Sequence, residues 1–191
     1  MNNLINFNDF INESINGNLL YHSTNLRKFI SIVTDDLMLK SPYYHNISFS
    51  RNKSFWHNMN TLNVRLVFDK NLLAQKYKIK PYDYWADIKG DTANVFSKSN
   101  IDRGIQFEYE ETINSDIMNV GKYITEIQII DNSTEEDNIF LTLEDNKVFL
   151  SNYLKKYPHI KIYLVEIVPL LDKTSKNMCR IVSKKELEFT I

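Results

Sequence analysis

Asn18-Leu19-Leu20-Tyr21-His22-Ser23-Thr24-Asn25-Leu26-Arg27-Lys28-Phe29-Ile30-Ser31-Ile32-Val33 changes its hydrophobic period in mid-course. Up to His22 the run is short, apolar and strand-like. From Leu26 onward the apolar residues Leu26, Phe29, Ile30 and Ile32/Val33 recur three and four apart, which is one stripe of a helix. The run therefore predicts a strand over Asn18–His22. A helix follows, capped by the hydroxyl of Ser23 or Thr24, with Asp35 and Asp36 marking its end.

The same reasoning extends along the chain. Upstream, Leu4, Ile5, Phe7, Phe10, Ile11 and Ile15 predict an amphipathic helix over residues 4–15, ended near Gly17. Downstream of Pro42, Ile47-Ser48-Phe49-Ser50 reads as a short strand. Leu62, Val64, Leu66 and Phe68 alternate on one face of another. Asp69 is placed to cap a short helix through Gln75, and Tyr77–Lys80 reads as a strand stopped by Pro81. Residues 82–104 have no period but carry Tyr82, Tyr84 and Trp85, a composition that fits an ordered loop near a site.

Ile105–Ile113 predicts a strand, Asn114–Asn119 a turn or short helix, and Tyr123–Ile130 an alternating strand. Asp131–Asn138 reads as an acidic loop. A helix capped by Thr142 would turn Val148, Phe149, Tyr153, Leu154 and Tyr157 inward and end at Pro158. Ile160–Val168, Arg180–Val182 and Leu187–Ile191 complete the strands. Many strands and few helices in mixed order give the α+β class. The expected organisation is an N-terminal amphipathic helix over 1–17 and a single α+β domain over 18–191.

Composition narrows the function classes. A chain of 191 residues, 43% hydrophobic and 13% aromatic, buries a real core. A net charge of −1 argues against a broad nucleic-acid footprint. A local basic patch from Arg51, Lys53, Arg65, Lys76, Lys78 and Lys80, with Tyr77 and Trp85, would be the minority route to nucleic acid. The single Cys179 excludes an internal disulfide and a multi-cysteine zinc site, and reads as a small core residue. No apolar run reaches the roughly 20 residues that span a bilayer. Met1-Asn2-Asn3-Leu4 has neither a basic region nor an apolar signal core. The expectation is a cytoplasmic protein with no membrane partner.

Three segments carry chemistry. His22 ends a strand where a helix begins, a place where backbone N–H groups converge. A neutral imidazole there donates to one group and accepts from another, as ribose binding requires. Glu108, Glu110 and Glu111 crowd one strand, where like charges raise a carboxyl's proton affinity if buried. Such a glutamate can take a proton or face a growing positive charge. Ser48 and Ser50 point one way from the second strand, suited to a carboxamide. Phe49 and Arg51 point the other, with Arg51 suited to a phosphate. Against these stand plainer readings: a locally satisfied histidine, a solvated acidic edge and a polar edge strand. His45, His57 and His159 lack ligand spacing, so no metal is expected. Phosphate-binding glycine loops and a Gly-x-Ser-x-Gly elbow are missing.

Taken together, Leu20-Tyr21-His22-Ser23-Thr24, Ile47-Ser48-Phe49-Ser50-Arg51, Glu108-Tyr109-Glu110-Glu111-Thr112-Ile113 and Tyr123-Ile124-Thr125-Glu126-Ile127 resemble the ADP-ribosyltransferase-like family. Among its members they most resemble small bacteriophage proteins of similar layout. The resemblance covers roughly residues 19–130. It implies a split, strongly bent β core with flanking helices around a cleft for NAD, used as substrate without a metal. It implies that His22 contacts a ribose and that Glu111, or else Glu110, is the catalytic acid. Ser23, Thr24, Ser48, Ser50 and Arg51 would bind the dinucleotide, with Tyr43, Tyr44 or Phe49 stacked on nicotinamide. The acceptor of ADP-ribose would be a host protein or nucleic acid. The chain departs from the family where His-Tyr-Glu members carry a tyrosine and Arg-Ser-Glu members a Ser-Thr-Ser, having Ser48-Phe49-Ser50. The alternative function is a binding or inhibitor protein on the same fold, using stretch 82–104 as its contact surface.

Overall fold

In the computed structural model, the described residues are 18–51, 55–56, 63–82, 110–130, 143–169 and 178–188. The expected helix over 4–15, the loop 82–104 beyond Tyr82, the strand portion 105–109 and the acidic loop 131–138 lie outside them. So do Trp85, Lys53 and Glu108.

Strand β1 (Leu19–Thr24) enters helix α1 (Leu26–Asp35), as the change of period predicts. The cap is one residue later than expected. Asn25 Oδ1 accepts from the Lys28 N–H at 2.8 Å, while Ser23 and Thr24 stay in the strand. The cause is pairing: β1 runs in register with β5 (Val64–Asp69) as far as Thr24 opposite Val64, so the backbone cannot turn sooner. Next come β2 (Leu37–Met38), β3 (Ile47–Ser50), β4 (Phe55–Trp56), β5, helix α2 (Lys70–Lys76) and β6 (Ile79–Tyr82). Asp69 caps α2 as expected, its Oδ1 taking the Leu72 N–H at 3.0 Å.

Pro81 does not stop β6. The strand continues through it, with Pro81 opposite Glu111. Because β6 is the rim of the sheet, only one side of it needs backbone donors, and a proline is tolerated there.

The second half holds β7 (Glu110–Ile113), β8 (Ile117–Met118), a 3-10 turn (Val120–Lys122), β9 (Ile124–Ile130), helix α3 (Lys147–Lys156), β10 (Lys161–Pro169) and β11 (Met178–Glu186). The segment expected as a turn or short helix thus contains β8, which pairs with β2 in a two-stranded ribbon and buries Ile117 completely. Within α3 the buried stripe is Leu150, Tyr153 and Tyr157. Val148 and Phe149, expected inward, are more than half exposed. Positions 150, 153 and 157 follow the i, i+3, i+7 arc, and 148 and 149 fall outside it. The final strand is longer than the expected Arg180–Val182. Leu187 and Glu188 follow β11 outside any strand.

Nine strands form one sheet in the order β4-β11-β10-β9-β5-β1-β3-β7-β6. Its pairs are antiparallel except β9 with β10, which α3 separates in the chain. The fold is mixed α+β, mostly this sheet with a few helices. One face carries Leu20, Phe49, Leu66, Phe68, Ile127 and Ile129, all at most 1% exposed, in a single core with Leu26, Phe29 and Val33 of α1. Each such side chain contributes about 1.5–3 kcal/mol of burial. β5 is covered on both faces, and its reverse face buries Arg65 and Val67. Cys179 is buried, as expected.

Among the described residues, no helix is long and apolar enough to cross a membrane.

Candidate functional site

The sheet brings the three motif strands side by side: β1, then β3, then β7. Tyr21 pairs with Ser50, and Phe49 pairs with Glu111. By the alternation of strands, His22, Phe49 and Glu111 lie in one row on one face. Strand spacing of about 4.8 Å puts the His22 and Glu111 backbones roughly 10 Å apart, with Phe49 between them. β1 and β3 share a single register pair, whereas β1 and β5 share six. The ladder between the two motif strands is thus shorter than the one between β1 and β5.

The imidazole joins these two strands. His22 Nδ1 lies 2.8 Å from the carbonyl oxygen of Ser48. A carbonyl only accepts, so Nδ1 carries the proton and the neutral ring keeps Nε2 as an acceptor. Burial holds the His22 pKa below its usual value of 6.5; the Ser48 carbonyl opposes that shift and the Lys28 charge adds to it. The ring is therefore neutral at pH 7. The sign of the stability effect follows. Below about pH 6.5 the unfolded chain binds a proton that the native ring resists, so stability falls as pH drops through the native pKa. His22→Gln is expected to flatten the difference in urea midpoint between pH 7.5 and 5.5. An unchanged slope in that variant would show that another group carries it.

Glu111 is 5% exposed. Its Oε1 receives Lys70 Nζ at 2.6 Å and lies 3.3 Å from Arg51 Nε. Its Oε2 is buried and has no hydrogen-bond partner among the described residues. A carboxylate oxygen in that state is an acceptor awaiting a donor. Between the two groups the Phe49 ring packs edge-on against His22 at 5.9 Å and against Phe68 at 5.2 Å.

Several expected ligand contacts are placed elsewhere. Phe49 is 1% exposed and packed in the core. Thr24 is buried opposite Val64, and Ser23 pairs with Arg65 one position along from His22. Ser48 and Ser50 alternate away from Phe49, and Ser48 serves the site through its carbonyl. Tyr43 and Tyr44 sit on the β2–β3 connection, 86% and 60% exposed. Arg51, expected on a phosphate, faces Glu111 instead. Glu110 pairs with Ser50, one register position from Glu111.

No family model, curated protein or solved structure matches the chain. The site must be read from its own chemistry. Sequence reasoning missed Lys70, although a signal was present: a lysine directly after the cap Asp69, in a first helical turn that has no acid. It also missed Asp36, whose carboxylate ties α1 to two remote segments. Asp36 Oδ1 takes the Gly121 N–H at 3.0 Å, and Oδ2 takes Tyr157 Oη at 2.5 Å and Lys156 Nζ at 2.8 Å.

The basic patch is broken up. Arg65 is buried on the reverse face, both its Nε and Nη2 donating to Gln128 Oε1, and burial lowers its pKa to about 9. Among the described residues, no group of three or more His, Cys, Asp or Glu side chains is placed to hold a metal ion.

Proposed function

We propose that this chain is an ADP-ribosyltransferase-like protein of bacteriophage type that binds NAD and transfers ADP-ribose to a host protein or nucleic acid. The observation that carries the reading is the row His22, Phe49, Glu111 across three neighbouring strands.

A ribose laid over that row meets an acceptor at each end once the Phe49 side chain between them is displaced. One hydroxyl donates to His22 Nε2, and another donates to Glu111 Oε2. As the bond between nicotinamide and the anomeric carbon lengthens, its electron pair leaves with nicotinamide and positive charge gathers on the ribose. The Glu111 carboxylate, held in a dry setting, stabilises that charge. The acceptor's oxygen or nitrogen then bonds the anomeric carbon and passes its proton to solvent water. Both groups are fixed before the ligand arrives, so little ordering remains for the reaction itself.

The test is incubation with NAD labelled in the adenylate and in the nicotinamide, with bacterial lysate as the acceptor source. Nicotinamide release with label transfer to macromolecules is expected. Neither product from a folded protein would reject the reading.

One observation favours the second reading, a non-catalytic binding protein on the same scaffold. Phe49 offers no hydroxyl between the imidazole and the acid, and Glu111 is already paired with two cations. Tight NAD binding without turnover, or host-factor binding without NAD affinity, is the outcome that reading expects.

A further inference from the structure

We propose that Lys70 is a positioning residue: it clamps one oxygen of Glu111 so that the other alone is offered to the ligand. The proposal rests on the reading of Glu111 as the acid that faces the ribose.

Three features of the structure support it. First, the root of Lys70 is fixed. Its backbone N–H donates to the Asn18 carbonyl at 2.8 Å, just before β1 begins, so the residue is tied to the strand that carries His22. Second, its ammonium reaches Oε1 at 2.6 Å, and Arg51 Nε approaches the same oxygen at 3.3 Å. Two cations lie on Oε1, and Oε2 has no hydrogen-bond partner among the described residues, which defines which way the carboxylate is held. Third, the position is unfavourable on local grounds. A cation in a first helical turn opposes the exposed N–H dipoles there. The capping Asp69 carboxylate is engaged by the Leu72 N–H, and the lysine is turned instead toward a buried carboxylate 41 positions away in the chain.

Without the ammonium, Glu111 is left with the longer Arg51 contact. Its carboxylate is then free to swing toward the guanidinium and present either oxygen. A displacement of about 1 Å at a reacting group costs on the order of 100-fold in rate. Ligand binding, which draws on the whole dinucleotide, is far less affected. The signature of a positioning residue is therefore a loss in kcat with KM for NAD preserved.

The experiment compares wild type, K70M and K70R by steady-state nicotinamide release over a range of NAD concentrations, with circular dichroism confirming the fold. K70M is expected to lose on the order of 100-fold in kcat with KM nearly unchanged, and K70R to recover part of that loss. K70R can reach Glu111 and keeps the charge, so it reports even if K70M folds poorly. An unchanged kcat in K70M, or a loss confined to KM, overturns the Lys70 assignment while leaving the reaction intact. Absence of release from wild type removes the reaction itself and Lys70's part in it.

Discussion

On the proposed reading, Glu111→Gln is expected to leave the protein folded and to reduce nicotinamide release by about 100- to 1000-fold. The substitution keeps the shape of the side chain and removes its charge. In the native site that charge is 5% exposed and lies within 2.6 Å of Lys70, so little water dilutes its field at the ribose. A neutral amide still accepts a hydroxyl, so NAD affinity should change only modestly while kcat falls. Removing the charge also leaves Lys70 and Arg51 without their acid. Both are about 30% exposed and reach water, so the structural cost stays below that of stranding a fully buried cation. Steady-state release and calorimetric NAD binding, measured on the same preparation, separate these effects. Full turnover in the variant would show that Glu111 only ties the sheet to Arg51 and Lys70.

Asp36→Ala is expected to cause a large loss of stability. Asp36 ends α1 in the left-handed conformation (φ 49°), which an aspartate tolerates better than most residues. Its carboxylate then joins α1 to the 3-10 turn at Gly121 and to the end of α3 at Tyr157. Burial alone would raise the Asp36 pKa. Hydrogen bonds from Lys156, Tyr157 and the Gly121 N–H outweigh it and hold the group below its usual 3.8. The carboxylate is thus charged in the native state at any ordinary pH, and its stabilisation disappears only as pH falls through that lowered value.

Deleting the carboxylate strands the Tyr157 hydroxyl and the Gly121 N–H in a nearly closed space, at a cost of about 3 kcal/mol. That corresponds to a fall in Tm of roughly 6–12 °C for a chain of this length. The segments cannot shift to compensate. A Cβ at Gly121 would already lie 2.3 Å from the Tyr157 ring, so the backbone and the aromatic are in contact. The Lys156 bond adds little, because that side chain is more than half exposed. Thermal unfolding of Asp36→Ala beside Tyr157→Phe checks the account. A fall of less than 2 °C in Asp36→Ala would show that the three segments hold together without it.

How much of this was legible in the sequence depends on which force acts at each position. Burial is local and periodic, so β1, β3, α1 and α2 could be read from their apolar residues and caps, and Tyr123–Ile130 from its alternation. What periodicity cannot show is the partner across a ladder. Thr24 reads as a helix cap until it is known to lie opposite Val64, and Pro81 reads as a terminator until β6 is known to be a rim. In α3, Val148 and Phe149 are apolar yet exposed, because the neighbours that cover Leu150 and Tyr153 are set by the tertiary packing and not by the period. The site divided along the same line. His22 and Glu111 were visible as unusual polar groups in strand-like runs. That Phe49 would stand between them as core, and that Lys70 would reach Glu111 from another strand's end, follows from the order β5-β1-β3-β7, and no spacing in the chain encodes that order.

The central claim is that one ribose lies between His22 and Glu111. A crystal structure of the Glu111→Gln variant soaked with NAD tests it most directly, because the ligand should bind and stay uncleaved. The account predicts a ribose with hydroxyl oxygens in hydrogen-bond reach of His22 Nε2 and of the residue-111 amide. NAD bound at another place on the sheet, or no NAD bound at saturating concentration, would contradict it.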